Sequence, residues 1–120
     1  MSENVIKTKS FNFALRIIKL FQFLNQEKKE FVLSKQLLRS GTSIGAMVRE
    51  SEQAESKKDF IHKLAIAQKE ANETDYWLEL LFQSDYLNQT QFQSIKSDII
   101  EINKILASII ITTKQKLATE

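Results

Sequence analysis

A chain of 120 residues with no proline and only two glycines, Gly41 and Gly45, has few places to turn. A β-rich domain of this size needs turn residues every ten positions or so, and they are missing. Long helices joined by short loops are what remains. The length is one domain's worth, enough to bury a core without staples.

Apolar periodicity places the helices. The first is expected over about 8–25, with Ala14, Ile17, Ile18, Phe21 and Leu24 on its stripe. The second runs over about 31–53 and carries Leu37, Leu38, Ile44 and Val48. Ser56 followed by Asp59 resembles a capping box, which starts the third helix over about 57–83. Its stripe is Phe60, Leu64, Ala67, Ala71, Thr74, Leu78 and Leu81. The fourth, over about 89–116, shows Phe92, Ile95, Ile99, Ile102, Leu106 and Ile109 at the same rhythm. Loops this short make neighbours antiparallel, so the expected fold is all-α, an up-down-up-down antiparallel four-helix bundle forming one domain over residues 1–120.

Several function classes fall away on composition. Without cysteine there is neither a disulfide framework nor thiolate metal chemistry. A di-iron bundle needs two Glu-x-x-His motifs, and the chain has one histidine, His62, with Asp59 three before it. Two glycines cannot build a nucleotide-binding loop. No oxyanion site or strained turn accompanies Ser56, Asp59 and His62. No catalytic residue, metal ligand or cofactor is therefore expected. The start MSENVIKTKS is polar, and no apolar run approaches the roughly 20 residues of a membrane span. The expectation is a cytoplasmic protein that makes no membrane contact.

Charge is distributed unevenly. Residues 1–49 hold nine Lys or Arg against three Asp or Glu, whereas residues 50–120 hold eight against twelve. The basic residues form helical rows: Lys9, Asn12, Arg16 and Lys19 on helix one, and Lys35, Arg39, Thr42 and Arg49 on helix two. Such rows serve as solvated faces, as phosphate contacts, or as docking faces for the acidic half of another copy. The candidates for phosphate contact are Lys9, Arg16, Lys19, Lys28, Lys29, Lys35 and Arg49.

Helix three carries a second row, Ile66, Glu70, Glu73, Trp77 and Leu80. A lone bundle helix usually needs one apolar face. The row is either the edge of a broad intramolecular face or a subunit interface with Ile66, Trp77 and Leu80 in it. Glu70 and Glu73 are costly there unless paired. Reversal near 53–55 sets Arg39 opposite Glu70, so an Arg39–Glu70 contact that takes in Glu73 is expected to fix register. The small residues Ser40, Gly41, Ser43, Gly45 and Ala46 point to close approach of a neighbouring helix or to a kink that shapes a binding surface.

The run from Ser43 to Leu81, SIGAMVRESEQAESKKDFIHKLAIAQKEANETDYWLELL, resembles the 23S rRNA intervening-sequence family. The matching features are Gln36-Leu37-Leu38-Arg39-Ser40 leading into Ser43-Ile44, Glu50, Asp59-Phe60, Ala67, Lys69-Glu70-Ala71, Glu73-Thr74 and Tyr76-Trp77-Leu78. Met47 stands where the family often has asparagine, which leaves any role of that amide without a counterpart here. The resemblance implies a four-helix bundle assembling into a ring, a homopentamer. Some family genes lie inside insertions in large-subunit ribosomal RNA genes. Related bundle proteins accompany the reverse transcriptases of diversity-generating retroelements, presenting a basic surface to nucleic acid and enzyme. No catalytic residues come with it. Two functions follow as expectations. One is a noncatalytic oligomer that binds RNA or another nucleic acid; the other is a scaffold or adaptor with a protein partner and no nucleic-acid contact.

Overall fold

A computed structural model describes the backbone from Ser2 and the side chains from Val5 to Glu120. Among the described residues there are four helices and no strand: α1 (Ser2–Gln26), α2 (Leu33–Ser51), α3 (Lys57–Gln83) and α4 (Gln89–Ala118). None is long and apolar enough to cross a membrane. The particle measures 53 × 22 × 20 Å. Each helix packs on the next, α4 returns to α1, and that last junction is the thinnest.

The stripes on α3 and α4 become the core as spaced. Leu64, Ala67, Ala71, Thr74, Leu78 and Leu81 are buried, as are Phe92, Ile95, Ile99, Ile102, Leu106 and Ile109. Phe60 is only partly buried against them. Phe82 stacks on Phe92 with centroids 4.3 Å apart, closing α3 against α4. Ser56 accepts from the Asp59 N–H at 3.0 Å and caps α3. At the start of α4, Asn88 and Gln91 form a reciprocal capping box. The α3 C-terminus closes with Asp85 at φ 68 and Tyr86 N–H bonded to the Leu81 carbonyl, a left-handed stop made without glycine.

Helix α1 departs from expectation. It starts at Ser2 rather than near residue 8, and Ile6 and Ser10 are buried. The inward stripe is Ile6, Ser10, Phe13, Ile17 and Leu24. Ile18, expected inside, is 39% exposed. The reason is that α1 is apolar around most of its circumference, so periodicity offers two stripes and packing chooses between them. Helix α2 is shorter than expected at its start: Phe31 and Val32 precede it and are exposed. Helix α4 continues two residues beyond 116.

The small-residue patch on α2 does bring a helix close. A Cβ at Gly41 would lie 2.8 Å from Ile17 Cγ1, and one at Gly45 would lie 3.3 Å from the Ser10 carbonyl oxygen. Buried Ser40 meets buried Thr74 of α3 with their hydroxyls 2.9 Å apart. Thr74 also reaches the Glu70 carbonyl at 2.7 Å, so both hydroxyls are satisfied. Alanine at a helical glycine gains about 1 kcal/mol of propensity. At position 41 that gain opposes overpacking against fully buried Ile17, which typically costs 1–3 kcal/mol. Gly41→Ala is therefore expected to lose about 1 kcal/mol in urea unfolding, while Gly45→Ala stays within about 0.5 kcal/mol of the parent. A Gly41→Ala protein as stable as the parent would disprove the tight crossing.

Candidate nucleic-acid interface

The basic candidates divide into two groups according to what stands opposite them. Lys9 lies 3.1 Å from Glu101 of α4. Arg16 Nη1 donates to Asp98 at 2.5 Å, and Nη2 donates to the Ser94 hydroxyl at 2.8 Å. These two cations are held by the acids of α4 across the α1–α4 junction. Lys19, Lys28, Lys29, Lys35 and Arg49 are exposed and form no ion pair with a described side chain. Arg49 sits over the Phe11 ring, 5.3 Å from its centroid, and Lys28 over Phe23 at 5.9 Å.

Lys28 and Lys29 lie in the α1–α2 turn, and Lys35 on the first turn of α2. A buried network holds this segment in one shape. Glu30, only 8% exposed, accepts from the N–H groups of Val32 (3.1 Å), Leu33 (2.9 Å) and Ser34 (2.7 Å) at the start of α2. Ser34 donates back to the Glu30 carbonyl at 2.9 Å, and Asn25 of α1 donates to Ser34 at 3.3 Å. Burial pushes the Glu30 carboxyl up, but the backbone N–H groups of Leu33, Ser34 and Val32 outweigh it and hold the group below its usual range. Lys29 takes the left-handed conformation, φ 54, that reverses the chain. The turn is thus an anchored loop, with Lys28, Lys29 and Phe31 facing solvent around a carboxylate that faces inward. A glutamate three or four residues ahead of an apolar helix start was the available signal.

Arg39 contacts Glu70 at 3.3 Å and also bonds Glu73, and Trp77 donates its indole N–H to Glu73 at 3.0 Å. The Trp77 bond first, then Arg39, hold the Glu73 carboxyl below its usual range. The group is half exposed, with Arg39 at 49%. It is a surface clamp between α2 and α3 rather than a buried pair. Lys96 makes the equivalent clamp between α4 and α3, 2.5 Å from Asp75.

Ile66, Trp77 and Leu80 are each half-buried, and Trp77 packs on the core. The larger exposed apolar row is on α1: Phe11 (48%), Leu15 (46%) and Ile18 (39%). It borders a groove of about 280 Å³ between α1 and α2 that Ala14, Gly45 and Ala46 also line. His62 is exposed near the start of α3, and among the described residues no three His, Cys, Asp or Glu gather to hold a metal.

A four-helix all-α protein with a lysine-bearing turn at one end is the class that this fold and surface define. A family model described as "23S rRNA-intervening sequence protein" matches residues 2–108, and the chain belongs to that family. A solved relative is similar over nearly its whole length: a protein with unknown function from the S23 ribosomal protein family of Bacteroides thetaiotaomicron. The two are 62% identical, the match covers 92% of this chain and 98% of that one, and the TM-score is 0.91. No curated protein matches.

Two substitutions test the geometry. A carboxylate whose folded pKa is depressed adds stability above its unfolded pKa, near 4.3, and loses that contribution as pH falls through the folded value. Glu30→Gln should therefore lose about 1 kcal/mol at pH 7, and the gap to the parent should narrow as pH falls below the unfolded pKa. A constant gap across that range would place the effect outside the carboxylate. Arg39→Met, at an exposed clamp, should lower the unfolding free energy measured in urea by no more than about 1 kcal/mol.

Proposed function

We propose that this protein is a noncatalytic, cytoplasmic, homo-oligomeric member of its family that binds RNA by charge and shape. The register contacts support an up-down-up-down antiparallel bundle: Ser10 with Gly45, Arg39 with Glu73, Phe82 with Phe92, and Arg16 with Asp98. The observation that carries the RNA reading is the anchored α1–α2 turn. There Lys28, Lys29 and Lys35, with Lys19 nearby in sequence, project from one end and have no described ion-pair partner. Lys9 and Arg16 supply less, since each phosphate contact would first have to displace an α4 carboxylate.

Self-association through the apolar row of α1, with Ile66, Trp77 and Leu80 as further interface candidates, would repeat the lysine-bearing end around a ring, and the family resemblance supports a pentamer for that ring. The same exposed row supports a second reading, a scaffold that docks a protein partner there. Docking of basic half on acidic half between copies has less behind it, because Lys7–Glu52, Lys9–Glu101 and Arg16–Asp98 are satisfied inside one chain.

Titration with a structured ribosomal RNA fragment at several salt concentrations is the direct test. Binding should weaken as salt rises, and the triple variant Lys28→Gln, Lys29→Gln, Lys35→Gln should flatten the log–log slope by roughly 1 per lysine lost. Affinity that ignores both salt and these lysines removes the RNA reading and favours the scaffold. In parallel, Ile18→Glu should lower the particle mass measured by light scattering if α1 forms the subunit contact.

A further inference from the structure

A second feature joins the lysines on the α4-facing side of α1. A groove of about 440 Å³ lies between α1 and α4, lined by Arg16, Lys19, Leu20, Phe23, Gln91 and Ile95. It opens at the junction where the helices touch least. Its floor is apolar, with Leu20 and Phe23 half-buried and Ile95 buried. No acid lines it, and of its two cations Lys19 has no ion pair with a described side chain while Arg16 is held by Asp98. The neighbouring depression along the same junction has the opposite character, since Asp98 and Glu101 line it and neutralise its cations.

We propose that this groove receives one unpaired nucleotide of a single-stranded nucleic acid, which deepens the RNA reading and rests on it. The volume falls in the range of small-ligand sites. An apolar floor with an aromatic ring accepts the face of a base, because every base has a π-face and stacking needs no particular sequence. Lys19 stands at the groove, and Lys28 Nζ lies 5.9 Å from the Phe23 centroid. A base stacked on the face that the Lys28 ammonium now covers would take its place there and release the ammonium for the adjoining phosphate.

Gln91 adds a polar handle. Its Oε1 is committed to the Asn88 N–H at 2.9 Å, and that bond fixes which end of the amide remains. The NH2 group has no partner among the described residues and can donate to a base carbonyl. Beyond the turn, Phe31, 50% exposed between Lys29 and Lys35, offers a second ring to the next stretch of strand. A peptide partner fits less well: an acidic peptide would use the lysines but has no planar group for the ring, and an apolar helix would leave the cations without partners.

The experiment compares a five-nucleotide oligouridylate with an abasic ribose-phosphate strand of the same length and charge, at one low salt concentration. Oligouridylate should bind about tenfold more tightly, in line with one base on an aromatic platform. Phe23→Leu should bring it to the abasic level and leave the abasic strand unchanged. A thermal melt checks that this variant folds. If it does not fold, amide NMR shifts of the parent protein decide instead, and they should concentrate at Lys19, Leu20, Phe23 and Gln91 on adding oligouridylate. Equal binding of the two strands, or shifts confined to other residues, overturns the groove while leaving charge-based RNA binding standing. Binding of neither strand, nor of the structured RNA, overturns both.

Discussion

The close crossing of α1 over α2 sets the rest of the surface. Gly41 lies under Ile17 and Gly45 under Ser10, which fixes the rotation of α1 about its own axis. At roughly 100° per residue, every other position on α1 then has an assigned direction. Lys7, Phe11, Ala14 and Ile18 turn toward the α2 side, where they line or flank one groove. Lys9, Arg16, Lys19 and Phe23 turn toward α4, where they line the others. A side chain at position 41 would push Ile17 and rotate both rows away from their partners. Two positions on α2 that lack a Cβ therefore decide which residues of α1 meet solvent.

Charge follows the same geometry. A count along the chain gives a basic first half and an acidic second half. Folding lays the halves against each other, so the α4 acids Asp98 and Glu101 take Arg16 and Lys9, and the α3 acids Glu70 and Glu73 take Arg39. Of the candidate cations, Lys19, Lys28, Lys29, Lys35 and Arg49 are left without an ion pair to a described side chain, three of them at or beside the α1–α2 turn. Exposed pairs of this kind contribute little stability. Their larger effect is to cancel positive charge along the α1–α4 and α2–α3 junctions.

The core of α3 and α4 was legible because each has an uninterrupted stripe at a clean three-and-four spacing, whereas the second row on α3 is broken by Glu70 and Glu73. Helix α1 was not, because Phe11, Leu15 and Ile18 compete with Phe13, Ile17 and Leu24 as a second stripe of equal quality. The close approach at Gly41 could be read from the glycine itself, since a mid-helix glycine costs about 1 kcal/mol unless something requires it. Its partner Ile17 could not be, for that needed the register. The Arg39 clamp followed from counting along antiparallel neighbours. Glu30 hid in a charged stretch, where a capping carboxylate and a solvated one look the same in sequence. The α1–α4 groove was invisible for a further reason: Phe23 and Gln91 are 68 residues apart, and neither is unusual in its own helix.

The two exposed features of α1 face different neighbours, and this bears on whether assembly and RNA binding compete. The apolar row Phe11, Leu15 and Ile18 borders the α2 side, whereas Lys19 and Phe23 open toward α4, with the lysine turn beyond them at the end of the helix. A contact that buries the first need not cover the second. Arg49 is the exception: it lies over Phe11 at the edge of the apolar groove, so a partner seated there would bury it. Of the basic candidates it would belong with the proposed assembly surface rather than with the proposed phosphate contacts. In a ring built through the α1–α2 groove, each copy would therefore keep its lysine turn and its α4-side groove open, and neighbouring copies would place several such ends around one perimeter. A flexible strand bound at one end would then find the next at a raised effective concentration. That multiplication would let sites that are individually weak, with three or four cations each, hold a nucleic acid at physiological salt.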